Sequence, residues 1–79
     1  MTDDEKTEQM FRAIAMSNRV TVAKIKLKRA DKLSNSFDEN IRKINQGINS
    51  LTDDILIGDD VRSSLDRIEK RVDDLEAVI

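Results

Sequence analysis

The stretch IRKINQGINSLTDDI (residues 41–55) places an apolar side chain at every third or fourth position. Its apolar positions are Ile41, Ile44, Ile48, Leu51 and Ile55. Apolar residues that recur on average every 3.5 positions form a seam along one side of a helix, and a single helix cannot bury such a seam alone. This stretch therefore predicts a helix that packs against at least one other helix.

The same spacing continues in both directions, from Ala13 to Gly58, and within it only Ser34 and Gly58 are not apolar. A second ladder of the same kind runs from Val61 to Ile79. We therefore expect an all-α protein, in which a long helix or a helical hairpin forms an oligomeric coiled coil or helical bundle. The predicted oligomer seam consists of Val20, Leu27, Phe37, Ile41, Ile44, Ile48, Leu51, Ile55, Val61, Leu65, Ile68, Val72, Leu75 and Ile79.

Capping signals and changes of phase divide the chain into segments. Thr2 and Glu5 have the spacing of a capping box, which marks a helix start. Ser36 and Glu39 have it too, but Ser34 and Phe37 keep the ladder in phase, so we expect the helix to continue through them. The predicted segments are an acidic N-terminal helix start (1–9), a main heptad helix (10–57) that is basic over 19–32 and isoleucine-rich over 37–55, a break or phase slip (58–60), and an acidic C-terminal coiled-coil helix (61–79).

The composition points away from catalysis. The 79 residues include no histidine, cysteine, tyrosine or tryptophan, which removes most nucleophiles, the usual base near neutral pH and the common transition-metal ligands. The pairs Asp53-Asp54 and Asp59-Asp60 flank Gly58 and are better explained as helix caps than as a cation site. We expect no enzymatic activity, no cofactor and no bound metal.

No stretch approaches the roughly 18 apolar residues of a membrane span, and the acidic N-terminus is unlike a secretory signal. We therefore expect a cytoplasmic location, or one within a viral or phage particle.

Four apolar residues lie outside the ladder, on the opposite side of the same helix: Phe11, Ile14, Val22 and Ile25. They indicate either a wider bundle that buries this helix on two sides or a docking face for a different protein. A short strand over Val20–Leu27 is the competing interpretation, because this stretch is β-branched and partly alternating.

The same part of the chain is its only basic one, with Arg19, Lys24, Lys26, Lys28, Arg29 and Lys32. Such a cluster can bind phosphates, but on a helix these side chains spread around the circumference, and no aromatic residue lies among them to stack on bases. A solvated face is the simpler interpretation, and nucleic acid is not the expected partner.

The topology has three competing interpretations. Isoleucine at both seam positions favours parallel trimers, and the segment Arg71-Val72-Asp73-Asp74-Leu75-Glu76 resembles the trimerisation motif of short parallel coiled coils, which implies an ion pair between Arg71 and Glu76 of neighbouring helices. Charge favours antiparallel packing instead, as a hairpin turning near Gly47 or as a dimer, because residues 10–33 are basic and residues 53–79 are acidic. A monomeric three-helix bundle (about 2–33, 37–57 and 60–79) is the third interpretation.

Our leading hypothesis is a non-enzymatic, self-associating coiled-coil protein, a structural, adaptor or inhibitor module such as those of phage or viral assemblies. Its expected partners are its own copies, as a trimer or antiparallel dimer, and another protein. The alternative is a small nucleic-acid-binding regulator that uses residues 19–32 on a helical dimer scaffold.

Overall fold

A computed structural model describes all residues 1–79 and contains three α-helices and no strand. Helix α1 spans Asp3–Arg29, α2 spans Asn35–Leu56 and α3 spans Arg62–Ala77. Each helix packs against the other two. The all-helical prediction is confirmed, and the alternative of a strand over Val20–Leu27 is wrong because α1 is continuous there.

Helix α1 begins and ends with well-formed caps. The Thr2 hydroxyl accepts a hydrogen bond from the Glu5 backbone N–H, and the Glu5 side chain accepts one from the Thr2 N–H, so the predicted capping box forms. At the other end, the Lys32 N–H donates to the Leu27 carbonyl and the Asp31 N–H donates to the Lys28 carbonyl. This is a Schellman motif, with Asp31 at a positive φ of 55° where glycine is usual.

The predicted continuity of the helix through Ser34 and Ser36 is wrong. The chain turns after Arg29, and Ser34 caps α2 by accepting a hydrogen bond from the Phe37 N–H at 3.2 Å. Ser36 lies inside α2 and does not cap it. The ladder stays in phase across the turn because each helix separately needs an apolar stripe, so unbroken phase does not require an unbroken helix.

A second turn separates α2 from α3 at the predicted phase slip. Gly58 has a φ of 97°, and the Asp59 N–H donates to the Asp54 carbonyl, so α2 also ends in a Schellman motif. Helix α3 has Val61 at its N-cap with no side-chain cap of its own. The Val61 N–H instead donates to the side-chain oxygen of Gln9, on α1.

The core lies along the common axis of the three helices. Thirteen of the fourteen predicted seam residues lie in it or pack against it, and the exception is Ile79, which is exposed. The seam of each helix is therefore covered by the other two helices of the same chain, where we had expected copies of the chain to cover it. The buried apolar residues are Ala13, Met16, Val20, Ala23, Leu27, Ile41, Ile44, Ile48, Leu51, Ile55, Val61, Leu65, Val72 and Leu75.

Helices α1 and α3 run parallel to each other, and α2 runs antiparallel to both. Arg12 contacts Asp66 and Arg19 contacts Asp73, so partners on α1 and α3 advance together. On α2 the order is reversed, because Lys24 near the end of α1 contacts Asp38 near the start of α2. The bundle measures 44 × 17 × 15 Å, and none of its helices combines the length and apolar character that a membrane crossing requires.

The predicted hairpin turn near Gly47 is also wrong. Gly47 lies inside α2, where a Cβ would come within 3.0 Å of the Ile68 Cδ1 on α3. The basic and acidic blocks do meet, as the charge argument required, but through parallel packing of two different helices within one chain.

Candidate interaction surface

Helix α1 has two apolar faces, and only one of them is used by the fold. Its inner face, formed by Ala13, Met16, Val20, Ala23 and Leu27, is buried in the core. Its outer face, which we define as Phe11, Ile14, Val22 and Ile25, remains in solvent with exposed fractions of 66%, 50%, 49% and 46%. With 100° of rotation per residue, the two faces lie on opposite sides of the helix. The predicted partner face is thus an unpartnered apolar strip about 21 Å long.

Apolar surface extends beyond α1 at both ends of the outer face. Phe11 lines a shallow cavity of about 250 Å³ together with Met10 and Leu56, and Leu56 is itself exposed at the end of α2. Near the other end, Val22 lines a shallow cavity of about 330 Å³ together with Ile79. The patch therefore includes residues of α1, of α2 and of the short segment after α3, which only the bundle brings together.

An ion-pair ladder between α1 and α3 borders the outer face. Arg12 contacts Asp66 at 2.8 Å, and Arg19 contacts Asp73 at 2.6 Å and also bonds to Glu76. Hydrogen bonds from Arg19 hold the pKa of the Glu76 carboxyl below its ordinary value, and the same bonds raise the pKa of Arg19. Both arginines are thus committed to holding α1 against α3.

The six residues of the predicted nucleic-acid patch do not form one surface. Arg19 is bound by three acidic side chains of α3, and Lys24 contacts Asp38. The remaining four, Lys26, Lys28, Arg29 and Lys32, surround the end of α1 on different sides. This arrangement does not favour a track for a phosphate backbone.

The predicted Arg71–Glu76 pair is not formed within the bundle. Glu76 faces α1 and is occupied by Arg19, while Arg71 makes no ion pair in the chain. Arg71 instead lines a shallow cavity on α3 with Ser64, Arg67 and Ile68. The motif's glutamate therefore has an intramolecular partner.

Of the four aspartates around Gly58, only Asp60 forms side-chain hydrogen bonds at the turn between α2 and α3, and the predicted aspartate cap of α3 is wrong because Val61 is the N-cap. Asp60 accepts hydrogen bonds from the Arg62 N–H at 3.1 Å and from the Gln9 amide at 2.9 Å, and these bonds hold the pKa of Asp60 below its ordinary value. No cluster of three or more acidic side chains in the bundle converges in the manner of a metal site.

Gln9 is the structural residue that the sequence reasoning missed. It is 2% exposed, and both ends of its amide are used, since the oxygen accepts from the Val61 N–H at 3.0 Å and the nitrogen donates to Asp60. A signal was available, because Gln9 lies four positions before Ala13 and so continues the apolar ladder with a polar residue.

Comparison of the chain with protein-family models, curated proteins and solved structures finds no match. The class of protein that the fold defines is an up-down-up three-helix bundle with one unpartnered apolar helix face.

Proposed function

We propose that this chain is a non-enzymatic protein–protein interaction module, a structural, adaptor or inhibitor element, that binds its target through the outer face of α1. The observation that carries the proposal is the exposure of four large apolar side chains on the longest helix. The core is complete without them, because every buried polar side chain has a hydrogen-bond partner and the three seams cover one another.

The energetics of this strip support an interaction role. Each fully buried side chain of this size contributes about 1.5–3 kcal/mol through removal of apolar surface from water, so leaving four of them half exposed forgoes a substantial stabilisation. Contiguous exposed apolar patches on small proteins mark interaction sites more often than scattered single residues do. The buried inner face fixes α1 on the bundle, so the outer face is presented as a preorganised ridge.

The test is site-specific photo-cross-linking in the cells that encode the chain. A photoreactive amino acid at Ile14 is expected to yield covalent protein adducts, and the same group at the exposed Asn40 of α2 is expected to yield none. A second variant, Val22→Lys, is expected to abolish the adducts from position 14 while the far-ultraviolet circular dichroism stays unchanged.

Equal labelling from positions 14 and 40, or no adduct from position 14, overturns the proposal. The Val22→Lys control separates binding at the outer face from nonspecific contact, because a random collision at position 14 does not depend on a side chain about two helical turns away on the same face.

A further inference from the structure

The outer face of α1 has a symmetric pattern. Asn18 lies between its four apolar residues, so the strip reads Phe11, Ile14, Asn18, Val22 and Ile25, separated by three, four, four and three positions. The pattern reads the same in both directions about Asn18. Two copies of this face, placed antiparallel with Asn18 at the centre, bring Phe11 opposite Ile25 of the other copy and Ile14 opposite Val22.

The two ends of the strip carry opposite charges. The N-terminal end is acidic and the C-terminal end is basic. Glu8 and Lys26 lie 18 positions apart, which is five full turns of an α-helix, so they share one edge of the strip. Neither residue forms an ion pair within the chain, and both are exposed.

From these two observations we infer that the outer face of α1 binds a second copy of the chain in an antiparallel, two-fold symmetric dimer. The inference rests on the proposed function and names its partner. A two-fold axis brings the same edge of both helices together, so Glu8 of each copy meets Lys26 of the other. A parallel pairing instead places the two acidic ends at one end of the interface and the two basic ends at the other, so neither Glu8 nor Lys26 meets the opposite charge.

Asn18 suits the position on the axis. A side-chain amide carries both donors and an acceptor, so two asparagines related by a two-fold axis can hydrogen-bond to each other. A single polar residue in an apolar helix interface favours the register in which it meets its own kind. Asn18 lies in solvent in the single chain, where it makes no side-chain hydrogen bond.

The size of the interface sets the expected affinity. The contact from Glu8 to Lys26 is about 27 Å long, and at about 10 Å wide it buries about 270 Å² per copy. The total of about 540 Å² is well below the roughly 1,200–2,000 Å² of standard stable interfaces, so the dimer is expected to be weak and readily reversible.

The first experiment measures the mass of the full chain by sedimentation equilibrium from about 1 μM to about 500 μM, the range that an interface of this size requires. The expected result is a reversible rise from the 9.0 kDa single chain to twice that mass. Ile14→Lys is expected to weaken the dimer more than 100-fold, about 3 kcal/mol, as a buried charge opposite Val22 requires. The matched control Asn40→Lys, on exposed α2 surface, is expected to leave the mass curve unchanged.

A charge exchange tests the orientation. Glu8→Lys and Lys26→Glu are each expected to weaken the dimer about tenfold, because each creates two like-charge contacts across the axis. The double variant Glu8→Lys with Lys26→Glu is expected to restore wild-type affinity. The two residues lie about 27 Å apart on one helix, so only contact between copies explains such a rescue.

A cysteine on the axis tests the register. The chain has no cysteine, so Asn18→Cys is expected to give a disulfide-linked dimer under mild oxidation, and Asn40→Cys is expected to remain monomeric. Each substitution replaces an exposed asparagine by cysteine, so the two variants differ only in the position of the thiol.

A chain that stays at 9.0 kDa throughout the concentration range overturns the inference. So does a dimer that withstands Ile14→Lys, or one that the charge exchange does not rescue. Failure here is distinguishable from failure of the proposed function, because a monomeric chain whose Ile14 cross-links a different protein still uses the outer face, and one without any adduct does not.

Discussion

The inner and outer faces of α1 are both apolar but have opposite environments. The inner face is buried to 2% exposure or less, while the outer face keeps about half of each side chain in solvent. A helix that is apolar on two sides is normally buried on two sides. Here the bundle covers only one, and the exposed second side is the observation on which the proposed interaction role rests.

The largest effect should come from a matched pair of truncations on the two faces. Leu27→Ala removes a fully buried side chain and is expected to lower the free energy of unfolding by about 2–5 kcal/mol. Ile25→Ala, two residues earlier on the outer face, is expected to change it by less than about 0.5 kcal/mol. Urea denaturation at low protein concentration measures both, and equal losses would show that the two faces are equally structural.

The next effect concerns the one polar residue on the inner face. Gln9→Ala leaves the buried Val61 N–H without a partner and removes one of the two hydrogen bonds to Asp60 Oδ1, so it is expected to lower stability by about 1–3 kcal/mol. Gln46→Ala, at an exposed position of α2, is the control and should stay within about 0.5 kcal/mol of wild type. If both variants melt at the same temperature, Gln9 does not stabilise the start of α3.

A smaller effect is expected at the two turns that separate the helices. Gly58→Ala puts a Cβ on a residue with a φ of 97° and no atom within 4 Å, so its expected loss of about 1 kcal/mol is purely conformational. Asp31→Gly relieves the same strain at a φ of 55° and is expected to raise stability by about 0.5–1 kcal/mol. Thermal unfolding measures both changes, and shifts of the same sign would contradict the assignment of both turns to the Schellman geometry.

The smallest effect is the pH dependence of the α1–α3 ladder. Because Arg19 lowers the pKa of Glu76 in the folded state, the pair stabilises the fold above the unfolded pKa of about 4.3, and this contribution disappears as pH falls through the folded value. At pH 7, Glu76→Gln is therefore expected to melt at a lower temperature than the wild type. At pH 3 the melting temperatures of the variant and the wild type are expected to lie closer together.

Asp74→Asn is the control for this comparison, since Asp74 is exposed and forms no ion pair in the chain. If Glu76→Gln and Asp74→Asn show the same difference between pH 7 and pH 3, the ladder makes no specific contribution to stability.

Much of the local structure could be predicted from residue patterns. The spacing from Ile41 to Ile55 predicted the buried stripe of α2, and Thr2 with Glu5 predicted the first cap. The turn at Asp31 could not be predicted in this way, because aspartate adopts the left-handed conformation far less readily than glycine does. The partnership of Gln9 with Val61 joins residues 52 positions apart, which no local pattern reports.

The candidate surface was predicted in part. The spacing of Phe11, Ile14, Val22 and Ile25 placed them together on one side of a helix, but it left open whether the rest of the chain would cover them. Their exposure, and the addition of Leu56 and Ile79 at the two ends of the patch, depend on how the other helices pack.

The amino-acid sequence by itself determined that the chain is helical, which side of each helix needs cover, and that basic and acidic segments should meet. Only the tertiary structure decided that the cover comes from the same chain, through turns at residues 30–34 and 57–61. The physical reason is that a periodic apolar stripe specifies the kind of surface that must cover it but not the molecule that supplies it. A short turn holds the neighbouring helix at an effective concentration that a separate copy does not reach, so the helices of the same chain cover the inner face and the outer face stays exposed.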